Sequence, residues 1–452
     1  MFKRLLIPIL LTFSILAIIF KPLDRSPLRE NEYYKNTISS FDLIKESHIN
    51  SADGDTIQVG WAKKTLVPEL PLPMAGYGAR KGAYYQDVED SLWVSAVVFD
   101  NGINRSVYVS MDLLIVPPNL NVEKMVKGLS INSNNIYFTA SHTHSSIGGY
   151  LKGLAGNIFG GTFETKVLDF ISDQTRKAII EATKDLHNTQ IGYASIYAAD
   201  FVSNRLVGDS IGTYDPYLRI MKLAKDNGEN GVIFSYAAHA TCYDHTQLSL
   251  SSDYPGKTVK ILEQNSGIDF AVYGAGAVGS MKPLSRAKKG AKKAIEISTG
   301  ISNKLINTYR ALGTKYEYKL YSNTIDIELR EESFKLNSYI IFRPWLFKWL
   351  VGGDTRKYIS YLRIGENLMV GTPCDFSGEL VKPIENESKN KNINLMINSF
   401  NGCYIGYITN DKWYDKTDIN TYETYTMNWF GPYNGQYISE LIKKIISINE
   451  NH

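Results

Sequence analysis

Cysteine is almost absent from this chain. Cys242, Cys374 and Cys403 are spread over 452 residues, and no CxxC pair occurs. That excludes a disulfide framework and the paired-thiolate zinc sites of ribbons and fingers. Each cysteine lies within a few residues of a motif considered below, and each reads as a small buried side chain rather than a thiolate ligand. Excess charge of one sign is also lacking. The formal net charge is +3, and no long basic tract interleaved with aromatics is present, which excludes nucleic acid as a partner. The basic run RAKKGAKKA at 286–294 reads as a solvated helix face. Sequence repeats and low-complexity linkers are missing, so a second domain is not supported. Histidine is scarce, at seven residues, so each one can be considered singly.

A hydrophobic content of 44% and a charged content of 21% are those of a folded protein with a substantial core. One uncharged apolar run stands apart, Leu5 to Phe20, preceded by Lys3 and Arg4 and followed by Lys21. No small-x-small cleavage site follows it. Residues 1–25 therefore read as an uncleaved transmembrane signal anchor, with the basic residues inside and the rest on the exported side, periplasmic or extracellular. Residues 26–55 are polar and aperiodic and read as a juxtamembrane stalk. Residues 56–452 read as one large domain. LWVSAVVFD and RSVYVSMDLL are β-rich runs joined at Asn101-Gly102, and NIYFTASH reads as a buried strand. Helical spacing runs through 163–186, with further helices near 254–264, 286–310, 376–388 and 435–448. The fold class expected is α/β (α+β layered), with mixed β-sheets and flanking helices.

Polar residues gather where the predicted strands end. His142 and His144 follow NIYFTA, His239 ends GVIFSYAAHA, and Asp375 ends NLMVGTPCD. In extended backbone His142 and His144 point to the same side. Ligands collect at such strand ends, and catalytic zinc takes about three protein ligands of this type. A metal site is the reading that follows. His245 reads as a loop residue, and His48, His187 and His452 as solvated.

The motifs MAGYGAR, SHTHSSIGGY, YAAHATCY with SSDYPG, GAVGSMKP, GTPCDFSGEL and CYIGYITN follow one another in an order that resembles the catalytic domain of neutral (non-lysosomal, alkaline) ceramidases, over roughly residues 57–440. The resemblance implies a Zn2+ ion held by His142, His239, Asp375 and Tyr407, with His144 facing the substrate or the zinc's water. It implies Arg205, in Asn204-Arg205, as the substrate-site cation, and Tyr422, in Tyr422-Glu423, as a further active-site tyrosine. Zinc acidifies water and polarises a carbonyl, and a cation or hydroxyl near the oxyanion completes that chemistry. The expected activity is hydrolysis of an amide bond, with a ceramide-like N-acyl lipid as substrate. The alternatives are a zinc hydrolase of another amide or ester and a non-catalytic binding protein of the same fold.

Three departures accompany the resemblance. The family's acidic ligand is a glutamate, where this chain has Asp375, with Glu379 as a rival. The family's GDVSP segment is GSMKP here, which places Lys282 at its catalytic serine and Ser280 at its aspartate. Only residues 434–452 follow WFGPY, so the family's C-terminal immunoglobulin-like domain is not expected. Finally, SYIIFRPWLFKWLVGG at 338–353 is apolar and aromatic, and reads either as an interfacial lip that admits a lipid from a membrane or as an ordinary packed element.

Overall fold

Alternation within single strands shows how the layers are built. In Trp93–Asp100, Val94, Ala96 and Val98 join one core cluster, while Val97 and Phe99 join another. A strand sends successive side chains to opposite faces, so this strand is covered on both. The computed structural model describes residues 14, 16–49, 54–265, 267–352 and 355–450. Eight strands form the continuous path of its main sheet: β1 (Gln58–Thr65), β2 (Trp93–Asp100), β3 (Arg105–Met111), β4 (Ile136–Ala140), β5 (His187–Tyr197), β6 (Tyr217–Lys225), β7 (Asn230–Tyr236) and β8 (Phe270–Ala275). Their order is β8-β7-β6-β5-β1-β2-β3-β4, with a short ninth strand, Lys315–Tyr316, beside β5. β3 pairs β4 and β7 pairs β8 in parallel, and the remaining neighbours on the path are antiparallel. The sheet curves until its two ends meet: β8 contacts β3 and β4, and Ser110 Oγ donates to the Tyr273 carbonyl at 2.5 Å.

A second sheet follows, β9 (Leu320–Asp326), β10 (Tyr358–Ile364), β11 (Asn367–Gly371) and β12 (Asn394–Asn398), in that order, with β11 and β12 parallel. Leu320, Leu362, Ile364, Met369 and Met396 of this sheet share one core with Val97, Phe99, Ile191, Leu223 and Ile233 of the main sheet. The longer helices are α1 (Glu32–Ile49), α2 (Gly153–Gly160), α3 (Thr165–Lys184), α4 (Asp253–Asn265), α5 (Gly290–Ala311), α6 (Pro344–Val351), α7 (Val381–Asn390) and α8 (Asn434–Ile448). α3, α4 and α5 cover the free face of the main sheet, and α7 and α8 that of the second. In α3 the buried positions 167, 168, 171, 175, 178, 179 and 182 form one apolar stripe. The result is a helix–sheet–sheet–helix layering, which agrees with the mixed α/β class expected.

The N-terminal boundaries are corrected. Most of the expected anchor lies outside the described residues, and among the described residues no helix is long and apolar enough to cross a membrane. Its last residues belong to the folded body, because Phe20–Pro22 pairs antiparallel with Ile340–Phe342 and Arg25 donates to Asp415 Oδ1 at 2.7 Å. The stalk is also folded over residues 26–49. α1 buries Phe41 completely and packs on α8, with the Tyr437 hydroxyl donating to Thr37 Oγ1 at 2.9 Å. Behind its polar face, Phe41, Thr37 and the Tyr33 and Tyr34 rings against Tyr437 tie the helix to the core.

One buried ion cluster joins the layers close to the site. Arg219 on β6 donates to both oxygens of Asp215, at 2.6 and 3.1 Å, and to Glu385 Oε1 on α7 at 3.0 Å. All three side chains are buried. Arg219→Met strands two carboxylates in the interior and is expected to lower the unfolding free energy by about 3–5 kcal/mol. A urea titration checks this, and a loss below about 1 kcal/mol contradicts the role given to the cluster.

Candidate metal centre

β4 ends at Ala140, and two residues later His142 adopts φ +60°. This left-handed conformation is uncommon for a residue with a Cβ and is held by surrounding contacts. The Ser141 N–H donates to the Met111 carbonyl at 2.9 Å, the Thr143 hydroxyl to the Ser251 carbonyl at 2.6 Å, and the His144 N–H to the Ala240 carbonyl at 3.3 Å. The two imidazoles therefore converge through a left-handed turn, and the extended backbone expected for them is corrected. β7 ends at Tyr236, so His239 also stands on the loop beyond its strand. The curvature of the main sheet brings these two strand ends together.

His142 Nε2 lies 2.8 Å from His239 Nε2 and 3.1 Å from His144 Nε2, and the latter two are 3.2 Å apart. Each ring turns its other nitrogen to a main-chain carbonyl: His142 Nδ1 to Leu114 at 2.5 Å, His144 Nδ1 to Gly76 at 3.1 Å, and His239 Nδ1 to Val278 at 3.3 Å. A carbonyl only accepts, so each Nδ1 carries the proton and each Nε2 presents a lone pair. Burial, reinforced by the nearby Arg205 charge, holds all three rings neutral: His142 is lowered to about 3, and His144 and His239 fall well below the usual imidazole range. Three acceptors that face one another without a proton between them could hold a cation. Nitrogen ligands on a tetrahedral zinc lie roughly 3.3 Å apart, given about 2.0–2.1 Å bonds. The histidine spacing is close to that. Gly76 fits tightly here, with φ +129° and no room for a Cβ, which would come within 2.4 Å of the His144 carbonyl oxygen.

Asp375 completes the donor set. The two-residue strand Asp375–Phe376 pairs in parallel with Tyr407–Ile408, which sets Asp375 beside Tyr407. Its Oδ2 accepts from the Tyr404 hydroxyl at 2.6 Å. Its Oδ1 is buried without a hydrogen-bond partner, 3.5 Å from His142 Nε2 and 3.9 Å from His239 Nδ1. Burial raises its pKa to about 7, against the pull of Tyr404 and Arg205. An orphaned carboxylate oxygen beside the His142 lone pair, at the edge of the three-histidine group, suits a metal ion. His144, expected to face the substrate, is thus as well placed to ligate as His142 and His239. Glu379 is not a rival: its oxygens accept from Trp413 Nε1 at 2.7 Å and from the Thr213 N–H at 3.3 Å.

Arg205 lies beside this group. Its Nη2 donates to the Tyr407 hydroxyl at 2.9 Å and its Nε to Glu423 Oε1 at 2.7 Å. Burial opposes its charge, but Tyr407 and Glu423 outweigh that and raise its pKa. Ser280, at φ +62°, donates to Glu423 Oε2 at 2.8 Å, and its carbonyl accepts from the Arg205 N–H. Tyr422 packs edge-on against Tyr407 at 5.9 Å between ring centroids. Lys282 is a correction. It is exposed on the strand Met281–Pro283, between two buried neighbours, and is not part of the site.

A cavity of about 520 Å3 reaches His142 and His144, with Tyr404, Tyr407 and Tyr422 beside them. Its walls are mostly apolar and come largely from α2, α6 and the segment Met427–Phe430. The 338–353 segment forms the strand Ile340–Phe342 and α6, which buries Phe347 and borders this cavity. Tyr404, Glu423 and the three carbonyls were not singled out by sequence reasoning. Glu423 had a signal, its place next to Tyr422, whereas a carbonyl acceptor leaves none. The cysteines are buried and unpaired, as expected. His245 is exposed and His187 lies at the surface near Asp226, while His452 lies outside the described residues.

Residues 68–282 match the sequence model of the N-terminal region of neutral/alkaline non-lysosomal ceramidases. Neutral ceramidase A of Dictyostelium discoideum is 23% identical over 320 residues, which cover 64% of this chain and 44% of that protein. The chain thus spans less than half the length of this relative. The crystal structure of neutral ceramidase from Pseudomonas aeruginosa superposes with a TM-score of 0.73 at 18% identity, over 87% of this chain and 74% of that one. A ceramidase complexed with C2 gives the same TM-score and covers 75% of its own chain. The matched region contains all three histidines and Arg205, whereas Asp375, Tyr407 and Tyr422 are joined to them by the fold. The sequence match, the curated relative and the shared fold all support the neutral/alkaline non-lysosomal ceramidase family for this chain.

Proposed function

We propose that this protein is a zinc-dependent hydrolase that cleaves the amide bond of a ceramide-like N-acyl lipid. The observation that carries the reading is the meeting of three neutral imidazole Nε2 atoms beside the unpartnered Asp375 Oδ1, at the inner end of an apolar cavity. Zinc, when bound, supplies Lewis acidity to the acyl carbonyl and acidifies water. His142, His144, His239 and Asp375 hold it, with the Tyr407 hydroxyl next to Asp375. Arg205 and the Tyr407 and Tyr422 hydroxyls provide donors for the charge that develops on the carbonyl oxygen. Glu423 fixes the Arg205 guanidinium in that direction before substrate arrives. The apolar walls take the acyl chain and keep water from the reacting carbonyl. The uncharged apolar run that begins at Leu5, after Lys3 and Arg4, supports a protein held at a membrane on its exported side.

A second reading, the same metal chemistry on another amide or an ester, is favoured by one observation. Ser280 is committed to Glu423 and Lys282 is exposed, so the serine of the family's GDVSP segment has no counterpart in the site. A fluorescent ceramide assayed beside N-acyl amino acids and simple esters separates the two readings, and turnover of the esters alone refutes the first.

Metal analysis of the purified chain is expected to give one zinc per molecule. His142→Ala, His144→Ala and His239→Ala should each weaken zinc binding by more than the roughly 10–100-fold typical of outer partners, and Tyr404→Phe by an amount within that range. Full occupancy in all the histidine variants rejects the ligand set. Arg205→Ala should retain zinc but lose about 10²–10³ in kcat. An unchanged kcat removes Arg205 from the mechanism.

A further inference from the structure

Large apolar side chains are exposed around the mouth of the cavity. Leu154 and Ile158 on α2 are each 46% exposed, and Trp345 and Trp349 on α6 are 50% and 67% exposed. The two helices pack together where Gly153 meets Val351; a Cβ on Gly153 would come within 2.3 Å of the Val351 carbonyl. They therefore form one rigid rim, and both also line the cavity. Their inward residues, Phe347 and Gly156 among them, are buried, so the outward ones are not needed to close the core. Lys152 and Lys348 on the same two segments and Arg343 just before α6 are exposed cations beside this apolar surface.

The apolar run that begins at Leu5 reaches this same rim. Phe20–Pro22 pairs with Ile340–Phe342, the Arg343 Nε donates to the Ala17 carbonyl at 2.6 Å, and the Trp345 indole N–H donates to the Ile18 carbonyl at 3.0 Å. Leu16 and Ile18 are exposed there. The end of a long uncharged segment is thus fastened to the strand and helix that border the cavity mouth. Exposed tryptophans, aliphatic side chains and flanking lysines and arginine are the composition of surfaces that sit at a bilayer interface.

We infer that the rim formed by α2, α6 and the strand Phe20–Pro22 docks on a lipid bilayer, Trp345 and Trp349 entering the headgroup region, so that the cavity opens directly onto the acyl chains. The inference concerns the surface, and it adds to the proposed hydrolase a route by which substrate enters without crossing water. It rests on that reading only for the identity of the lipid that enters. The test uses the full chain with phosphatidylcholine and phosphatidylglycerol vesicles whose acyl chains carry bromine, and reads quenching of tryptophan fluorescence. Marked quenching is expected in the unaltered protein, and Trp345→Phe with Trp349→Phe should abolish most of it. Ile18→Ser, on the neighbouring N-terminal segment and outside the cavity lining, should reduce it while leaving soluble-substrate turnover unchanged. His142→Ala should leave quenching intact, which separates this surface from the metal chemistry. Vesicle binding without quenching shows that the N-terminal run alone holds the membrane, and overturns the docking surface. Quenching that survives the double substitution overturns it too. So does a stable dimer in lipid-free solution that protects both tryptophans, because a second copy then covers the rim.

Discussion

Three imidazole nitrogens face one another at the inner end of a cavity with no proton to share, and much of the surrounding structure serves to keep them there. Each Nδ1–H is fastened to a carbonyl of a different segment, Leu114, Gly76 and Val278, so no ring can rotate to offer its proton to a neighbour without abandoning that bond. Second partners of this kind fix both tautomer and orientation in metal sites. The left-handed turn at His142, with a strain of about 1–3 kcal/mol, is tolerable because the main-chain bonds of Ser141 and His144 and the Thr143 hydroxyl bond hold it on either side. The curved sheet does the long-range part, by bringing the ends of β4 and β7 to one place.

The same constraint accounts for the charges nearby. Asp375 and Glu423 are buried carboxylates, and Arg205 is a nearby, partly buried cation. Glu423 is satisfied by Arg205 and Ser280, but Asp375 has one oxygen bound by Tyr404 and one bound by nothing. A buried acceptor left unsatisfied costs about 1–3 kcal/mol, and more when charged. The histidine lone pairs and this oxygen lack partners in the same way, and a divalent ion bound there would satisfy both. Arg205 does not fill the role, because Glu423 and Tyr407 already direct its donors.

Legibility in the sequence followed the range of the interactions. Helical periodicity identified α3 because its apolar stripe is local, and the strand ends were found to within a few residues. His142, His239 and Asp375 stood out because rare polar residues closed apolar runs. Lys282 was misplaced because matching GSMKP to a motif position by position fixes no side-chain direction, and the left-handed turn at Ser280, φ +62°, re-aims the backbone just before it. The role of His144 was misjudged for a related reason: an extended dipeptide fixes a direction, but a left-handed turn can bring both rings to one point. Residues 26–49 looked like a stalk because α1 has little apolar surface of its own; its order comes from α8, some 400 positions away in sequence.

The depth of the centre connects the chemistry to the surface. Electrostatic stabilisation by Arg205 and the tyrosines is strong only where water is excluded, and the dielectric falls toward that of the protein interior. The cavity leads outward from His142 and His144, so the protein alone does not seal the site. Its apolar walls resist wetting, yet they are useful only when a chain of matching polarity fills them. On the proposed function, an acyl chain in the cavity would serve both as the recognised part of the substrate and as the plug that dries the carbonyl. Binding energy from the chain is then spent where the reaction occurs, because the same contacts that hold it remove the water that would screen Arg205. On that proposal, a short or polar acyl group would leave the walls wet and the guanidinium screened, so selectivity for long acyl chains would arise in the reaction step as well as in binding.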